Sequence, residues 1–372
     1  VKYFLGMAAN YSRKERLAHT FAIGRRGDCQ SLKTYLEKKY DGEAILCKNG
    51  RSALALALKA YFEPGDGIIV NGFTCYAVYE AIKAARLKPV FVDISKKDLN
   101  FNTRTLPKLD AKSDSSNVQV RGIIIQNTLG NPADIKAIEK FAKEHSLTII
   151  EDLAHCAGSK YSDGREVGTV GVAAALSFGK DKSIDTISGG AVILRKPQKH
   201  EIKAPTKLPK LSDHLRARFY PLFGAICRGL TYLHLGGALM RLLVKIHWVE
   251  KSADNKLDLD RTLSKFEAKL ALKQLQVLKK TGAMPLRNFY LVNNREELLK
   301  ELAKHGFYFN GFWYEKPVSP ERYYKKVHFP EEECQNAVFV AQHIINLPTY
   351  YSKQDLEPAQ KIIEPFLVKE EK

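Results

Sequence analysis

The sequence lacks the residue patterns that mark several functional classes. Its six cysteines, Cys29, Cys47, Cys75, Cys156, Cys227 and Cys334, form no C-x-x-C pair, and no Cys/His cluster has zinc spacing. No metal site is therefore expected, and free thiols in a reducing cytoplasm are the simplest reading. Apolar runs are short. The longest uncharged stretch of the most apolar region, Gly229 to Met240, falls well below the roughly 20 residues that a spanning helix needs. The opening VKYFLGMAAN shows no apolar core followed by a cleavage site, so no secretory signal is expected. Acidic residues are outnumbered, 41 against 59 basic, for a net charge of +18. That balance suits an anionic partner: a nucleotide, a phosphate cofactor, nucleic acid or an acidic membrane surface. Nucleic acid fits worst, because the basic residues gather at 195–218 without interleaved aromatics and no recognition motif is present.

What is present is alternation. At 372 residues the chain is long enough for two lobes. From 29 to 195, strand-like runs (EAILC, IIVNG, KPVFVD, GIIIQN, LTIIED, AAALSFG, GAVILR) alternate with helical ones (CQSLKTYLEKKY, RSALALALKAYF, a segment near 75–86, PADIKAIEKFAKEH). This predicts an α/β fold with a mostly parallel sheet flanked by helices. Ligands of such sheets sit beyond the carboxyl ends of the strands. The expected organisation is a large α/β domain over 1–195 with its N-terminal segment, an insertion over 196–255, and a linking helix with a small α+β lobe over 256–372.

The insertion begins basic and proline-containing and turns apolar (FYPLFGAICRGLTYLHLGGALMRLLVKIHW), interrupted by Arg228, Arg241 and Lys245. Gly229, Gly236 and Gly237 make it a poor isolated helix. Two readings stay open: a helical insert packed on its own protein or on a second subunit, and an interfacial helix resting on anionic lipid.

Several chemistry-bearing residues fall at strand ends. Gly50, Arg51 and Ser52 open a helix whose free N–H groups would hold an anion. Asp152 ends the strand LTIIED, and Ser177 and Lys182 follow another strand. An anion cradle, a carboxylate and a reactive lysine at one sheet edge are what pyridoxal phosphate needs. The lysine forms a Schiff base with the aldehyde, and the carboxylate keeps the pyridine nitrogen protonated. Taken singly each residue has a plainer reading: a helix cap, a strand-end carboxylate, a solvated loop lysine.

The order of the pieces resembles the DegT/DnrJ/EryC1/StrS sugar aminotransferases, pyridoxal phosphate enzymes of fold type I. NGRSALALAL (49–58), KPVFVDISKKDLNFN (88–102), NTLGNPAD (127–134), EDLAHCAGSKYSDGREVGTVGVAAALSFGKDK (151–182) and CQNAVFVAQHIINLPTYY (334–351) match the family's segments in register. The resemblance implies that Lys182, five residues after Ser177, is the Schiff-base lysine and that Lys180 is a loop neighbour. Asp152 takes the place of the ring-nitrogen partner and His155 the place beside the cofactor's phenolic oxygen. Ser177, and Ser52 with the amides of Arg51 and Ser52, would hold the phosphate, with Gly50 counted among the cofactor contacts. Asn127 lies in the matching H-x-x-G-x-P-A-D segment and is counted with the cofactor contacts. The family's ring-stacking aromatic is replaced by Cys75 followed by Tyr76, so either residue could face the ring. The family's N-Y-R segment appears as DRTLSKFEA, with Asp260 near the Asn position and Thr262 where Arg is usual. A carboxylate there would repel the phosphate, and Arg51 is the candidate to supply the missing charge.

The resemblance implies a cytoplasmic homodimer that moves an amino group from glutamate to a nucleotide-linked keto sugar, in the making of cell-surface polysaccharides. The rivals are a pyridoxal-phosphate-binding regulator or degenerate homologue, and a sugar dehydratase of the same fold. The dehydratases carry His in place of the lysine, so Lys182 argues against them.

Overall fold

The computed structural model describes residues 2–104, 106, 118–250, 255–309 and 313–369. In chain order the first part holds β1 (Tyr3–Leu5), α1 (Arg13–Thr20), α2 (Asp28–Tyr40), β2 (Glu43–Cys47), α3 (Gly50–Tyr61), β3 (Gly67–Asn71), β4 (Thr74–Cys75), α4 (Tyr76–Ala84) and β5 (Lys88–Val92). It continues with β6 (Val120–Ile125), α5 (Ile135–Glu144), β7 (Thr148–Asp152), β8 (Ala173–Ser177) and β9 (Gly190–Leu194). Seven strands form one sheet in the order β2-β9-β8-β7-β6-β3-β5. β9 runs antiparallel to β2 and β8, and the other neighbours are parallel. β3 and β9 are buried along their whole length, as strands covered on both faces must be. The α/β expectation holds.

α3 is the central helix. Its Ala/Leu run, Ala53 to Leu58, carries no polar side chain to keep in water, and ten of its twelve residues are buried, with the helix packed on β8 and β9. Asn49 caps it by accepting from the Ser52 N–H at 2.8 Å. Gly50 is required at its head, because a Cβ there would collide with Ser177. The helix start and the end of β8 therefore meet almost backbone to backbone.

The insertion is helical, with α6 (Leu211–Leu230) and α7 (Gly236–Lys245). Its inner side packs on the protein itself: Ala217, Tyr220, Cys227, Leu243 and Val249 share a core with Ala8, Tyr11, Ala22, Ile187 and Phe266. Gly224 allows α6 to cross the Met7 backbone, since a Cβ would strike the Met7 carbonyl. No helix among the described residues is long and apolar enough to cross a membrane.

The remainder comprises α8 (Lys265–Thr281), β10 (Arg287–Leu291), α9 (Arg295–Lys304), β11 (Phe307–Phe309), β12 (Val318–Ser319), α10 (Glu321–Tyr324), α11 (Gln335–His343), β13 (Ile344–Pro348) and α12 (Lys353–Ile363). α8 opens with a capping box between Ser264 and Glu267. β10 and β13 pair antiparallel, and β12 pairs with β4. The N-terminal segment contributes to both lobes: β1 pairs with β11, with Tyr3 stacked on Phe307, whereas α1 packs against α6. Of the run FYFNGFWYE, residues 310–312 lie outside the described residues, as do 251–254 at the end of the insertion.

Candidate active site

A cavity of about 320 Å³ opens at the carboxyl ends of the central strands. Gln126, Asp152 and Ser177, at or just beyond the ends of β6, β7 and β8, line it together with Gly50, Cys75, His155 and Lys182. Side chains alternate across a strand, and the Glu151–Asp152 pair shows the consequence. Asp152 faces the cavity. Glu151 faces the opposite side, where it accepts from the Tyr161 hydroxyl and the N–H groups of Gly168, Val170 and Gly171 at 2.7–2.8 Å. Glu151 is thus an anchor for the loop before β8, and Asp152 is the carboxylate left to the site.

Lys182 Nζ lies 3.1 Å from His155 Nε2 and 4.5 Å from the centre of the Trp313 ring. His155 Nδ1 accepts from the Leu129 N–H at 3.2 Å. That bond leaves the imidazole proton on Nε2, facing the lysine amine and the Tyr314 hydroxyl, itself 3.2 Å away. Burial drives the His155 pKa well below its ordinary value, with the cations Lys182 and Arg287 adding to the effect. Burial also pushes the Lys182 amine below the usual lysine range, while Cys75 and Asp152 oppose it. The Asp152 carboxyl is pushed up by burial, and the Ala154 N–H and Lys182 act the other way. A buried neutral imidazole donor, a lysine held toward its nucleophilic free form and a buried carboxylate in want of a cation now share one pocket.

Lys180 does not join them in that role. Its ammonium bonds the Glu250 carbonyl and sits 4.2 Å from the centre of the Tyr220 ring, turned toward the insertion. Other expected contacts are distributed differently from the sequence reading. Tyr76 is absent from the cavity wall and stacks on Tyr323 at 4.4 Å, so Cys75 is the residue of that pair at the site. Asn127 also points elsewhere: it accepts from the Ala133 N–H at 2.8 Å and reaches the Tyr161 hydroxyl at 3.4 Å. Its neighbour Gln126 lines the cavity instead. Ser52 is fully buried, its N–H given to Asn49 and its hydroxyl accepting from the Asp258 N–H at 3.0 Å. Arg51 lines the cavity but is paired with Glu80, which neutralises the charge it was expected to offer. The feared carboxylate at Asp260 is exposed and bonded to Lys207 at 2.8 Å, and the Thr262 hydroxyl donates to the Leu46 carbonyl.

Sequence reading missed Trp313, Tyr314 and the part played by the insertion. Trp313 packs against His155 with ring centres 5.1 Å apart, and Tyr314 is buried. The run FWYE carried a signal, as three adjacent aromatics just before β12, the strand that pairs with the Thr74–Cys75 segment. Asp213, Arg216, Ala217 and Tyr220 of α6 close one side of the cavity with Trp248 and Glu250. Lys48, at the end of β2, holds α6 there through Asp213 at 2.9 Å, and Arg216 pairs with Glu250 at 2.5 Å.

A family model described as the DegT/DnrJ/EryC1/StrS aminotransferase family matches residues 29–366. The chain belongs to that family. A pleiotropic regulatory protein of Geobacillus stearothermophilus is 26% identical over 86% of this chain and 83% of its own. A GDP-perosamine synthase of Caulobacter vibrioides is 25% identical over 82% of this chain and 80% of its own. The sugar aminotransferase Spr1654 of Streptococcus pneumoniae, named as putative and solved in its PLP form, superposes with a TM-score of 0.65 at 16% identity, over 96% of this chain and 98% of that one. As in the family, the cofactor is pyridoxal phosphate. The residues present fit it: a buried amine for the aldehyde, a buried carboxylate for the ring nitrogen, an Nε2–H 3.1 Å from that amine, and a glycine-headed helix next to Ser177 for the phosphate.

Proposed function

We propose that the chain is a sugar aminotransferase in which Lys182, Asp152 and His155 act on the cofactor, with an amino acid, glutamate in the first instance, as donor and a nucleotide-linked keto sugar as acceptor. The observation that carries this reading is the contact of the buried Lys182 amine with the Nε2 of His155, in one pocket with Asp152. When bound, pyridoxal phosphate supplies an aldehyde and an electron-accepting ring. Lys182 Nζ would hold that aldehyde, and its free amine would take and return a proton at its own nitrogen. The Asp152 carboxylate keeps the proton on the ring nitrogen, and a cation there offsets the cost of burying it. His155 donates from Nε2 to the ring oxygen, its direction fixed by the Leu129 N–H. Gly50, Ser177 and the amides at the head of α3 hold the phosphate, and Trp313 with Tyr314 keeps water out.

The perosamine synthase among the relatives supports a nucleotide-linked keto sugar as the class of acceptor. A homodimer belongs to the same reading by analogy with the family. So does contact of the insertion with an anionic membrane surface, supported by its exposed apolar side chains and its surrounding positive charge. The name of the regulatory relative does not favour a non-catalytic reading, because the amine, carboxylate and imidazole all share the pocket.

The test is borohydride reduction of the cofactor-loaded protein followed by peptide mapping. The fixed adduct is expected on Lys182, and Lys182→Ala should bind cofactor without fixing it and lose turnover. Asp152→Asn should keep the cofactor and lose about 10²–10³-fold in rate. An adduct on Lys180, or full activity without Lys182, refutes the assignment.

A further inference from the structure

The tautomer of His155 decides which hydrogen-bonding groups of the pocket are already spent. Its Nδ1 accepts from the Leu129 N–H at 3.2 Å, so in the neutral ring the proton is on Nε2. The Tyr314 hydroxyl lies 3.2 Å from that Nε2. A ring nitrogen that carries a hydrogen cannot accept another, so the Tyr314 oxygen accepts and its own proton must go elsewhere. No acceptor for that proton is found among the described residues. Tyr314 is nonetheless only 5% exposed, and a buried donor with nothing to receive it is costly. The side chain is held in place. Its ring packs edge-on against the fully buried Phe73 with centres 5.2 Å apart. Its segment is laid along β4, where Val318 and Ser319 pair with Thr74 and Cys75 and the Thr74 N–H donates to the Pro317 carbonyl at 2.7 Å. Tyr314 lines the cavity with Cys75, His155 and Lys182, so a ligand there can receive the spare proton.

Burial holds the Tyr314 pKa well above its ordinary value, with Cys75 and Asp152 adding to the effect and Arg287 opposing it. The hydroxyl therefore keeps its proton at neutral pH and serves as a hydrogen-bond donor, not as an acid. Two donors 3.2 Å apart can share one oxygen, and the cofactor's ring oxygen is the acceptor already assigned to His155 Nε2. We infer that Tyr314 is a further catalytic residue, whose hydroxyl donates to the cofactor's ring oxygen beside His155. One oxygen then satisfies both the imidazole N–H and the orphan hydroxyl. Two donors aimed at it favour its anionic form and weaken its hold on a proton at Lys182 Nζ. This rests on the aminotransferase reading above and adds to it a donor from the small lobe. The keto oxygen of the acceptor sugar presents the same chemistry and is the rival acceptor.

The experiment uses the full chain as wild type, Tyr314→Phe, which keeps the ring on Phe73, and His155→Ala. In the cofactor-loaded wild type and Tyr314→Phe proteins the yellow band is titrated with pH. With one donor removed, the ring oxygen attracts the proton on Lys182 Nζ more strongly, so the Tyr314→Phe band should persist to a pH higher by about one unit. The other groups facing that nitrogen, His155, Cys75, Asp152, Arg287 and Asp181, are the same in both proteins. Cofactor-free protein is then loaded with pyridoxal phosphate or with its analogue lacking the ring oxygen. Affinity is read from quenching of the chain's two tryptophans, Trp248 and Trp313, both of which line the cavity. Tyr314→Phe should bind pyridoxal phosphate about tenfold more weakly than the wild type and the analogue within about twofold. His155→Ala, with one donor left, should still prefer pyridoxal phosphate to the analogue about tenfold. An equal loss for the two ligands in Tyr314→Phe marks the hydroxyl as structural and overturns the inference. So does a His155→Ala protein with no preference. An unmoved pH midpoint with slower transfer to the keto sugar alone also overturns it, assigning the hydroxyl to the acceptor. A wild-type protein that binds the cofactor but fixes no borohydride adduct on Lys182 defeats the aminotransferase reading itself, which these affinities do not address.

Discussion

Cys75 is where an expected aromatic gives way to a small thiol, and it offers a direct probe of the site. Of the six cysteines, only Cys29 and Cys75 are partly exposed. Burial pushes the Cys47 thiol up to about 12, and Cys156 well above its ordinary value, so neither should react in the folded protein. A small alkylating reagent should label Cys29 and Cys75 in cofactor-free protein, and cofactor loading should protect Cys75 alone. Peptide mass spectrometry reads the result, and equal labelling of Cys75 in both forms would place the cofactor elsewhere. The proposed catalytic residues that the sequence pointed to share a trait: Lys182, Asp152 and His155 sit in an ordered string of motifs, where spacing along the chain suffices to single them out. Asn127 and Gln126 show the limit. Both lie at a strand end, and only the three-dimensional course of the chain, with Asn127 in a left-handed conformation, decides which one turns to the cavity.

The elements that joined the insertion to the rest of the protein carry a hidden pH balance. Asp185, in the loop before β9, is buried and accepts hydrogen bonds from Asn10, Tyr11, Asp181 and Ile187, with no ion pair to it among the described residues; burial raises its pKa to about 6. His19 of α1 is wedged against the Ala217 carbonyl of α6, and burial lowers its pKa to about 4. Tyr11 touches both. For Asp185 the folded pKa exceeds the unfolded one, so its contribution is full below about pH 4 and is lost as pH rises toward 6. For His19 the folded pKa is depressed, so its contribution is present above about pH 6.5 and is lost as pH falls toward 4. The two slopes oppose each other over the same interval. Asp185→Asn should therefore unmask the His19 slope, with stability climbing by about 3 kcal/mol between pH 4 and 6.5. Urea unfolding across that range checks it; a variant curve as flat as the wild type's would show that the two groups do not titrate as opposites. Elements of this kind divide legibility cleanly. The seven strands of the main sheet and α3 were readable because their periodicity runs for five or more residues. β1, β4, β11 and β12, of two or three residues each, exist only through their pairings, and no local pattern announces them.

At the scale of the whole molecule, the +18 charge and the insertion belong together. Ten of the seventeen large hydrophobics exposed among the described residues lie between Leu208 and Trp248, and Phe21 and Ile23 follow the end of α1, which packs on α6. Leu233, Leu235, Leu242 and Ile246 are each more than half exposed, on α7 or next to its ends. Arg241 and Lys245 are exposed on α7 among them, the arrangement by which an interfacial helix adds electrostatic attraction to apolar burial. The inner side of α6 closes the catalytic cavity, so a membrane docked on the outer side would lie one helix away from the substrate. The full chain should sediment with phosphatidylglycerol vesicles at low salt, bind less as salt is raised, and ignore phosphatidylcholine vesicles. Replacing Leu233 and Leu235 by serine should cut vesicle binding several-fold while the cofactor band stays at wild-type strength, since neither side chain lines the cavity. If that variant instead shifts the sedimentation coefficient from dimer to monomer, and the wild type ignores anionic vesicles, the apolar face belongs to a second copy of the chain and the membrane reading falls.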